Sequence, residues 1–290
     1  MPHPKDPTPA DQHSVKPPPA PKGMQKNVRI AHLHECKRIG RPLVMMTAYD
    51  ACFGAMADKS GADMILVGDT LGMVVHGFDT TLPVTMDMMV LHTQAVTRAA
   101  KRALVVADMP FMSYMVSVEE AVRNAGRLVK EGGAAAVKLE GRSEKILNTV
   151  AAIVEVGIPV MGHVGLVPQS VHALSGYRVQ GREEKAAERL VNLAKGQEKA
   201  GAFAMVLECV PRALARRIAS ELTIPVIGIG AGDGVDGQVL VMHDMLGFTE
   251  NPPRFVKKYA NLGNATVRAF RKYGRDVREK LFPEDEHGFD

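Results

Sequence analysis

The chain has 290 residues, of which 46% are hydrophobic and 23% charged, and its formal net charge is +4. This composition is ordinary for a globular protein with a sizeable core, and the charge is too small to indicate nucleic acid as a partner. Its short apolar runs and the lack of an apolar stretch near residue 1 predict neither a membrane-spanning helix nor a secretory signal. Three widely separated cysteines exclude a disulfide scaffold and a structural zinc site, and they favour a cytoplasmic location.

The N-terminal segment differs in composition from the rest of the chain. The first 22 residues contain eight of the eighteen prolines and almost no large apolar side chains. Such a segment cannot bury enough surface to offset the entropy lost on ordering it. We therefore predict a disordered Pro-rich tail over residues 1–23, followed by a single catalytic domain over residues 24–290.

Eight short runs of strand-forming residues follow one another along the chain. Each run is hydrophobic almost throughout, which is typical of parallel strands that are buried on both faces. The runs lie at residues 43–49, 64–69, 104–109, 135–140, 159–164, 203–209, 225–230 and 238–243.

Amphipathic helical patterns separate most of these runs. One pattern begins at Ser117 and Glu120, which have the spacing of a capping box. Another repeats Leu214, Ile218 and Leu222 along one helix face. The chain therefore alternates between strands and helices, as α/β proteins with parallel sheets do.

This alternation predicts an α/β fold of the (β/α)8 TIM-barrel type. Residues 26–40 and 255–280 would then form N- and C-terminal helices that flank the barrel. A doubly wound open sheet is the alternative. The glycines of residues 228–234 do not form a GxGxxG phosphate-binding turn in any register, which favours the barrel.

Nearly every predicted strand ends on a polar side chain, although such side chains are costly to bury without partners. In a parallel barrel the carboxyl ends of the strands meet at one face, where catalytic groups gather. Each residue alone is compatible with a solvated loop, but together they predict one converging polar site. The residues are Asp69, Asp108, Lys138, Glu140, His163, Glu208, His243 and Asp244.

The side chains of this site indicate its chemistry. Asp69, Asp108 and Glu140 form an oxygen-rich donor set that favours Mg²⁺. Lys138 points to the same barrel face as Glu140 and suits an anionic substrate group. Glu208, from another strand, is the candidate general base. This set predicts that Mg²⁺ holds a 2-oxo acid and stabilises the enolate formed when the base removes a proton from the adjacent carbon.

Other polar residues near the strand ends have weaker indications. Cys209 is expected to be a small buried side chain rather than a nucleophile. His163 is compatible with either a ligand contact or a hydrogen bond in the core, and His243 is expected to be structural. Tyr49 is a candidate for lining the pocket, and Asp50 is expected to cap the next helix.

A series of motifs runs through the chain: TAYD at 47–50, VGDTLGM at 67–73, TLPVT at 81–85, ADMPFM at 107–112, VKLEG at 137–141, GHVGL at 162–166, PQS at 168–170, GYRVQG at 176–181, VLECVP at 206–211, IPVIGIGAG at 224–232 and DGQVLVMHD at 236–244. In this order they closely resemble the 3-methyl-2-oxobutanoate (ketopantoate) hydroxymethyltransferase family. The resemblance covers about residues 26–287, so only the Pro-rich segment lies outside it.

The resemblance implies a (β/α)8 barrel that assembles as a homodecamer. It implies transfer of a hydroxymethyl group from 5,10-methylenetetrahydrofolate, the co-substrate, to 3-methyl-2-oxobutanoate. The product would be 2-dehydropantoate, on the route to pantothenate. No nucleic acid and no membrane are expected as partners.

The resemblance also implies residue roles, carried over position by position. One Mg²⁺ per subunit would bind Asp69 and Asp108, with Glu140 completing the metal shell directly or through water. Glu208 would accept the proton. The family commonly has serine at the position of Thr70, and threonine keeps the hydroxyl and the backbone N–H. The residues implied to bind the 2-oxo acid are Asp69, Thr70, Asp108 and Lys138.

Two alternatives stay open at the level of sequence. A carbon–carbon lyase of the phosphoenolpyruvate mutase/isocitrate lyase type would share the barrel, the hard metal and the 2-oxo acid. Such enzymes often carry a catalytic cysteine in a mobile loop, and no cysteine is placed so here. A non-catalytic barrel that binds a metabolite is of another class, but it has no physical reason to keep these acidic residues together.

Overall fold

Eight parallel strands close into one barrel in the computed structural model, which describes residues 16–173 and 176–289. The strands follow chain order around the barrel, and the last pairs with the first, so that Leu43 lies opposite Gly237. Their bounds are β1 Leu43–Thr47, β2 Met64–Val67, β3 Leu104–Asp108, β4 Ala136–Glu140, β5 Val160–Gly165, β6 Ala204–Glu208, β7 Val226–Ile229 and β8 Gly237–Leu240.

Helices surround the barrel and flank both of its ends. Their bounds are α1 Ile30–Arg38, α2 Ala51–Lys59, α3 Leu71–Val74, α4 Met86–Ala99, α5 Val118–Lys130, α6 Lys145–Glu155, α7 Glu184–Lys199, α8 Arg212–Glu221, α9 Met242–Met245 and α10 Leu262–Arg278, with short 3-10 turns at Pro168–Ser170 and Asp285–His287.

The predicted (β/α)8 barrel is confirmed, and its closure rules out the open doubly wound sheet. Every predicted run overlaps an observed strand, and α1 and α10 provide the flanking helices. Asp50 caps α2 by accepting a hydrogen bond from the backbone of Phe53. Ser117 caps α5 by accepting one from the backbone of Glu120.

The structure corrects the last part of the predicted alternation. β8 ends at Leu240, and His243 and Asp244 lie in α9 instead of at the end of a strand. The cause is local, because the backbone N–H groups of Asp244 and Met245 both donate to the carbonyl of Val241. In addition, the residues between β7 and β8 form a glycine-containing turn with no helix assigned to it.

The interior of the barrel is apolar toward the amino ends of the strands. Inward-facing side chains there, including Met64, Leu104 and Met161, are at least nine-tenths buried. Leu33 of α1 and Met24 belong to the same cluster and close this end. A second, larger apolar cluster fills the layer between the sheet and the surrounding helices. Burial on both faces explains why the strand sequences are nearly continuous apolar runs.

The segment before the barrel is described only in part. Residues 1–15 of the predicted tail lie outside the described residues. Farther along, the carbonyl of Pro18 accepts a hydrogen bond from the Arg41 guanidinium, and Ala20 packs against the inner cluster. The tail over residues 1–23 and the domain boundary at 24 stay predictions. Among the described residues, no helix has the length and apolar character needed to cross a membrane.

Candidate active site

Along several strands, the side chains that face the barrel interior change from apolar to charged toward the carboxyl end. In β4, Ala136 is followed inward by Lys138 and Glu140, and in β3 Val106 is followed by Asp108. Side chains that are two residues apart on a strand lie on the same face. Because the strands are parallel, the inward-facing polar residues near their carboxyl ends all lie at the same end of the barrel. These residues therefore meet at the end where TIM barrels carry their active sites.

All six residues predicted to bind metal or substrate, or to act as the base, line one small cavity of about 50 Å³ at this end. His163 lines it as well, whereas His243 packs against the rings of Tyr49, Phe53 and Phe248. The six are Asp69, Thr70, Asp108, Lys138, Glu140 and Glu208.

Asp69 and Asp108 follow or end adjacent strands and are in direct contact. The backbone N–H of Asp69 donates to Oδ2 of Asp108 across 3.1 Å. The other carboxylate oxygen of Asp108 lies 2.9 Å from Nζ of Lys138 in a buried ion pair. The carboxylate of Asp108 therefore contacts both the backbone of Asp69 and the ammonium group of Lys138, which balances part of the negative charge here.

Gln169, in the 3-10 turn after β5, connects two of the acidic residues. Its side-chain amide donates to Asp69 across 2.9 Å, and its backbone N–H donates to Glu140 across 3.0 Å. The hydroxyl of Tyr114 in turn donates to the amide oxygen of Gln169 across 2.6 Å. The role of Gln169 was not predicted from the sequence, although its PQS motif directly follows a predicted strand.

His163 lies between the lysine and the candidate base. Its Nδ1 is 3.4 Å from Nζ of Lys138, and its Nε2 is 3.4 Å from Oε2 of Glu208. Because an ammonium group can only donate, Nδ1 accepts and the ring proton lies on Nε2, facing Glu208. Burial and the charge of Lys138 hold the pKa of His163 well below its usual value, so the ring is neutral.

The electrostatics of the cavity are dominated by buried carboxyl groups. Burial, followed by the charge of Asp108, raises the pKa of Asp69 to about 7. Burial raises the pKa of Glu208 to about 7 and that of Glu140 well above its usual range. Burial alone would lower the pKa of Lys138, but the surrounding carboxylates outweigh it and raise that pKa. The cavity therefore holds four carboxyl groups and one lysine, and three of these carboxyl groups have raised pKa values, so the site favours binding a proton or another cation.

This donor set fits a hard divalent cation. Asp69 and Asp108 offer oxygen ligands side by side, and the presence of one lysine beside four carboxyl groups favours a cation there. Within the described ranges, no three acidic, histidine or cysteine side chains converge into a complete metal-binding group. Mg²⁺ does not need one, since it commonly uses one or two carboxylates and retains several waters. Glu140 lines the same cavity, and the backbone N–H of Gln169 holds its carboxylate in place.

The backbone around Glu208 is unusually constrained. Gly165, which pairs with Glu208 in the sheet, has φ of +104°, and a Cβ atom there would collide with the carbonyl of Glu208. Cys209, directly after Glu208, has a positive φ of 47°, which costs energy for a non-glycine residue. Burial raises the pKa of the Cys209 thiol to about 12, which agrees with the expectation that it is not a nucleophile.

Thr70 presents its hydroxyl at the edge of the cavity. Its Oγ1 lies 2.8 Å from the phenol oxygen of Tyr49, which is almost fully buried. The hydroxyl that distinguishes serine and threonine from other side chains is therefore engaged in a fixed contact, and the threonine methyl does not prevent it.

Comparison with known proteins agrees with this geometry. A family model described as ketopantoate hydroxymethyltransferase matches residues 27–285. A protein of Moorella thermoacetica named 3-methyl-2-oxobutanoate hydroxymethyltransferase is 56% identical over 266 residues, which are 91% of this chain and 98% of that protein. A protein of the same name from Enterococcus faecalis is 56% identical over 256 residues, covering 88% and 93% of the two chains.

Solved structures of other proteins share the fold at low sequence identity. A phosphonopyruvate hydrolase, solved in complex with oxalate and Mg²⁺, is 13% identical with a TM-score of 0.60, and 91% of this chain and 92% of that one are covered. A 2,3-dimethylmalate lyase, a PEP mutase/isocitrate lyase superfamily member, is 17% identical with a TM-score of 0.55, covering 90% and 91%. At these identities the likeness extends to the fold alone, so it carries no argument for lyase activity.

Proposed function

The chain belongs to the ketopantoate hydroxymethyltransferase family, and on that premise we propose that it transfers a hydroxymethyl group from 5,10-methylenetetrahydrofolate to 3-methyl-2-oxobutanoate, forming 2-dehydropantoate. The enzyme class predicted from the motifs is confirmed by the relatives that carry this name, and the non-catalytic alternative is set aside. We propose the folate donor, the bound metal and the enolate chemistry for this chain on the grounds that follow.

Asp69 and Asp108 would hold Mg²⁺, with Glu140 completing the shell directly or through water. The contact between these two residues, and the presence of a single lysine beside the four carboxyl groups of the cavity, support this assignment. When bound, the ion would supply positions for the keto and carboxylate oxygens of the substrate and draw charge from the keto oxygen.

Lys138 and Thr70 would orient the 2-oxo acid, together with the two aspartates. The ammonium of Lys138 stays charged in the cavity and suits the substrate carboxylate. The hydroxyl and backbone N–H of Thr70 are further donors at the cavity edge. Most of these side chains are buried, so few water molecules compete for the bound acid. Hydrogen bonds and ion pairs to the acid are therefore stronger there than they would be in water.

Glu208 would remove the proton from C3 of the substrate. It ends β6, whereas Asp69 follows β2 and Asp108 ends β3, and its carboxylate is next to His163. Its pKa of about 7 lies near neutral pH, where a general base combines a useful ionised fraction with enough basicity. His163, neutral because burial and the charge of Lys138 hold its pKa well below the usual value, lies 3.4 Å from Glu208 and adds no positive charge that would favour its ionised form.

The carbon–carbon bond would form between the substrate enolate and the methylene carbon of the folate. Both carbon–nitrogen bonds of that methylene, to N5 and to N10, break, and water supplies the hydroxyl oxygen. The proton removed from C3 and the second proton of that water end on the two nitrogens, and tetrahydrofolate leaves. We further propose that residues 24–290 form the single catalytic domain, that the enzyme is a homodecamer and that it works in the cytoplasm.

The observation that carries this proposal is the convergence of Asp69, Asp108, Lys138 and Glu208 from four strands on one buried cavity. The test is an assay of 2-dehydropantoate formation from the two substrates with Mg²⁺ and after chelation. We expect product only with folate donor and divalent ion present. Product formed at an equal rate after chelation would refute the metal assignment, and no product under any condition would refute the reaction.

A further inference from the structure

A second and larger cavity lies beside the active site, outside the barrel. Its volume is about 300 Å³, and it is bounded by the residues after β4, the end of β5 and the face of α7. An adjoining cavity of about 610 Å³ shares Gln180, Gly181 and Ala186 with it. The two therefore form one continuous groove along residues 177–190, here called the arginine groove.

The arginine groove is rich in unpaired positive charge. Arg142 and Arg189 line the cavity of about 300 Å³, and Arg178 and Arg182 line the cavity of about 610 Å³. Within the described residues, none of the four guanidinium groups forms an ion pair or a hydrogen bond with a protein group. Only Glu144 and Glu183 contribute negative charge to its lining. Because the guanidinium group of arginine can donate two parallel hydrogen bonds to one carboxylate, the groove suits a ligand with several carboxylates.

The groove begins where the active site ends. Gly141 lines the groove and directly follows Glu140, which lines the active-site cavity. Gly165 also lines the groove and is paired in the sheet with Glu208. The active-site cavity and the groove are thus lined by residues that are neighbours in the chain or partners in the sheet.

The segment over residues 176–183 connects the two places. Its Tyr177 hydroxyl reaches toward Sδ of Met73, on the helix that follows β2, and burial and the negative charge of Glu208 raise the pKa of Tyr177. Farther along, the backbone N–H of Gln180 donates to the carbonyl of Cys209 across 2.9 Å. The segment thus borders the mouth of the active site at one end and the groove at the other.

We propose that the arginine groove binds the glutamyl carboxylates of the folate donor, with Arg142 and Arg189 as the principal contacts, while the pterin ring of the donor reaches the active-site mouth. This inference rests on the proposed function, because it assigns a place to that reaction's co-substrate. The 2-oxo acid does not need these arginines, since Lys138 and the metal site provide for its single carboxylate inside the barrel.

The geometry of the ligand agrees with the groove. A folate is an extended molecule with its reactive ring at one end and carboxylates at the other, and polyglutamyl forms add one carboxylate with each further residue. The arginine groove offers four guanidinium groups, two in each of its cavities, those of Arg142 and Arg189 and those of Arg178 and Arg182. Additional glutamates therefore have additional guanidinium groups to bind.

The test is steady-state kinetics of the Arg142→Gln/Arg189→Gln double variant with three donors: monoglutamyl and pentaglutamyl 5,10-methylenetetrahydrofolate, and 5,10-methylenetetrahydropteroate, which has no glutamate. We expect the KM of both glutamylated donors to rise about tenfold or more, because two charge-assisted contacts are lost. The KM of the pteroate donor, the KM of the 2-oxo acid and kcat should stay at wild-type values. Arg98→Gln, at the far end of the barrel, is the matched control.

Two outcomes would separate failure of this inference from failure of the proposed function. Unchanged KM values for the glutamylated donors, or an equal rise for the pteroate donor, would overturn the assignment of the groove while the enzyme still makes product. Wild-type protein that neither exchanges the C3 proton of the 2-oxo acid nor makes product would overturn the proposed function and this inference with it.

Discussion

The two ends of the barrel interior differ sharply although the same strands build both. In β6, Ala204 faces inward at the amino end and Glu208 at the carboxyl end, and in β3 the corresponding pair is Leu104 and Asp108. The amino end is filled by methionine, leucine and valine and is closed by α1. The carboxyl end holds four acidic side chains around one lysine.

This difference shows how one scaffold separates stability from chemistry. Apolar side chains at the amino end gain free energy by leaving water. Carboxylates at the carboxyl end lose hydration, and this burial is the main reason why the pKa values of Asp69, Glu140 and Glu208 are raised. Substitutions at the charged end should therefore affect catalysis, whereas substitutions at the apolar end should affect folding.

The largest effect is expected from Glu208→Gln. The amide keeps the size of the side chain but cannot accept the C3 proton, so exchange of that proton with deuterium from solvent should slow by about 10²- to 10⁴-fold. The measurement is proton NMR of the 2-oxo acid with Mg²⁺ and without folate. Glu155→Gln, at the end of α6, is the control and should exchange at the wild-type rate. Wild-type exchange by Glu208→Gln would remove its role as the base.

Asp69→Asn and Asp108→Asn should weaken Mg²⁺ binding by more than about 100-fold. Loss of a residue that only supports a metal ligand costs up to about 100-fold in affinity, and loss of the ligand itself should cost more. Isothermal titration calorimetry with Mg²⁺ measures this directly. Bound ion should also raise the melting temperature of the wild-type protein but not that of the variants. Asp87→Asn, an exposed aspartate in α4, is the control. Superimposable titration curves for all four proteins would exclude both aspartates as ligands.

At the apolar end, Leu33→Ala should lower the free energy of unfolding by about 2–5 kcal/mol, because it leaves a cavity in the cluster that closes the barrel. Urea denaturation measures the loss, and kcat of the folded protein should not change. Leu91→Ala is a matched control, since Leu91 is 64% exposed. A variant with wild-type stability but reduced kcat would contradict the separation of the two ends.

The pH dependence of C3 exchange should follow the ionisation of Glu208. Its pKa of about 7 predicts that the rate rises about tenfold per unit as pH increases below 7 and levels off above it, because only the carboxylate accepts a proton. A profile that is flat between pH 5 and 8 would show that another group limits the step.

The smallest effect is expected at Thr70. Thr70→Ser keeps the hydroxyl that contacts Tyr49, so the KM of the 2-oxo acid should change less than about threefold, which corresponds to less than 1 kcal/mol. Thr70→Val has a similar volume but no hydroxyl, and its KM should rise more. Equal KM values for the serine and valine variants would mean that the hydroxyl takes no part in substrate binding.

The fold and most of the candidate site could be predicted from the sequence because they depend on regular patterns. Apolar runs such as 104–109 place a strand, and the polar residue at the end of the run then falls at a known position in a barrel. The inward positions of Asp108, Lys138 and Glu140 follow from that spacing alone.

Contacts made by loops and neutral side chains could not be predicted in this way. Gln169 binds Asp69 across a sequence separation of 100 residues, and an amide in a short turn has no periodicity that indicates such a partner. The role of His163 stayed open because a buried histidine suits both a core and a ligand contact. Val241 and Met242 extend an apolar run into α9, where hydrogen bonding over three and four residues overrides the strand pattern.

In the proposed reaction, carboxylates from neighbouring strands share an ion that makes a bound 2-oxo acid easy to deprotonate. The decisive experiment is a crystal structure with Mg²⁺ and 3-methyl-2-oxobutanoate. We expect oxygens of Asp69 and Asp108 at about 2.0–2.1 Å from the ion, two substrate oxygens on the same ion, and C3 facing Glu208. An ion bound elsewhere, or C3 turned away from Glu208, would contradict the proposed reaction.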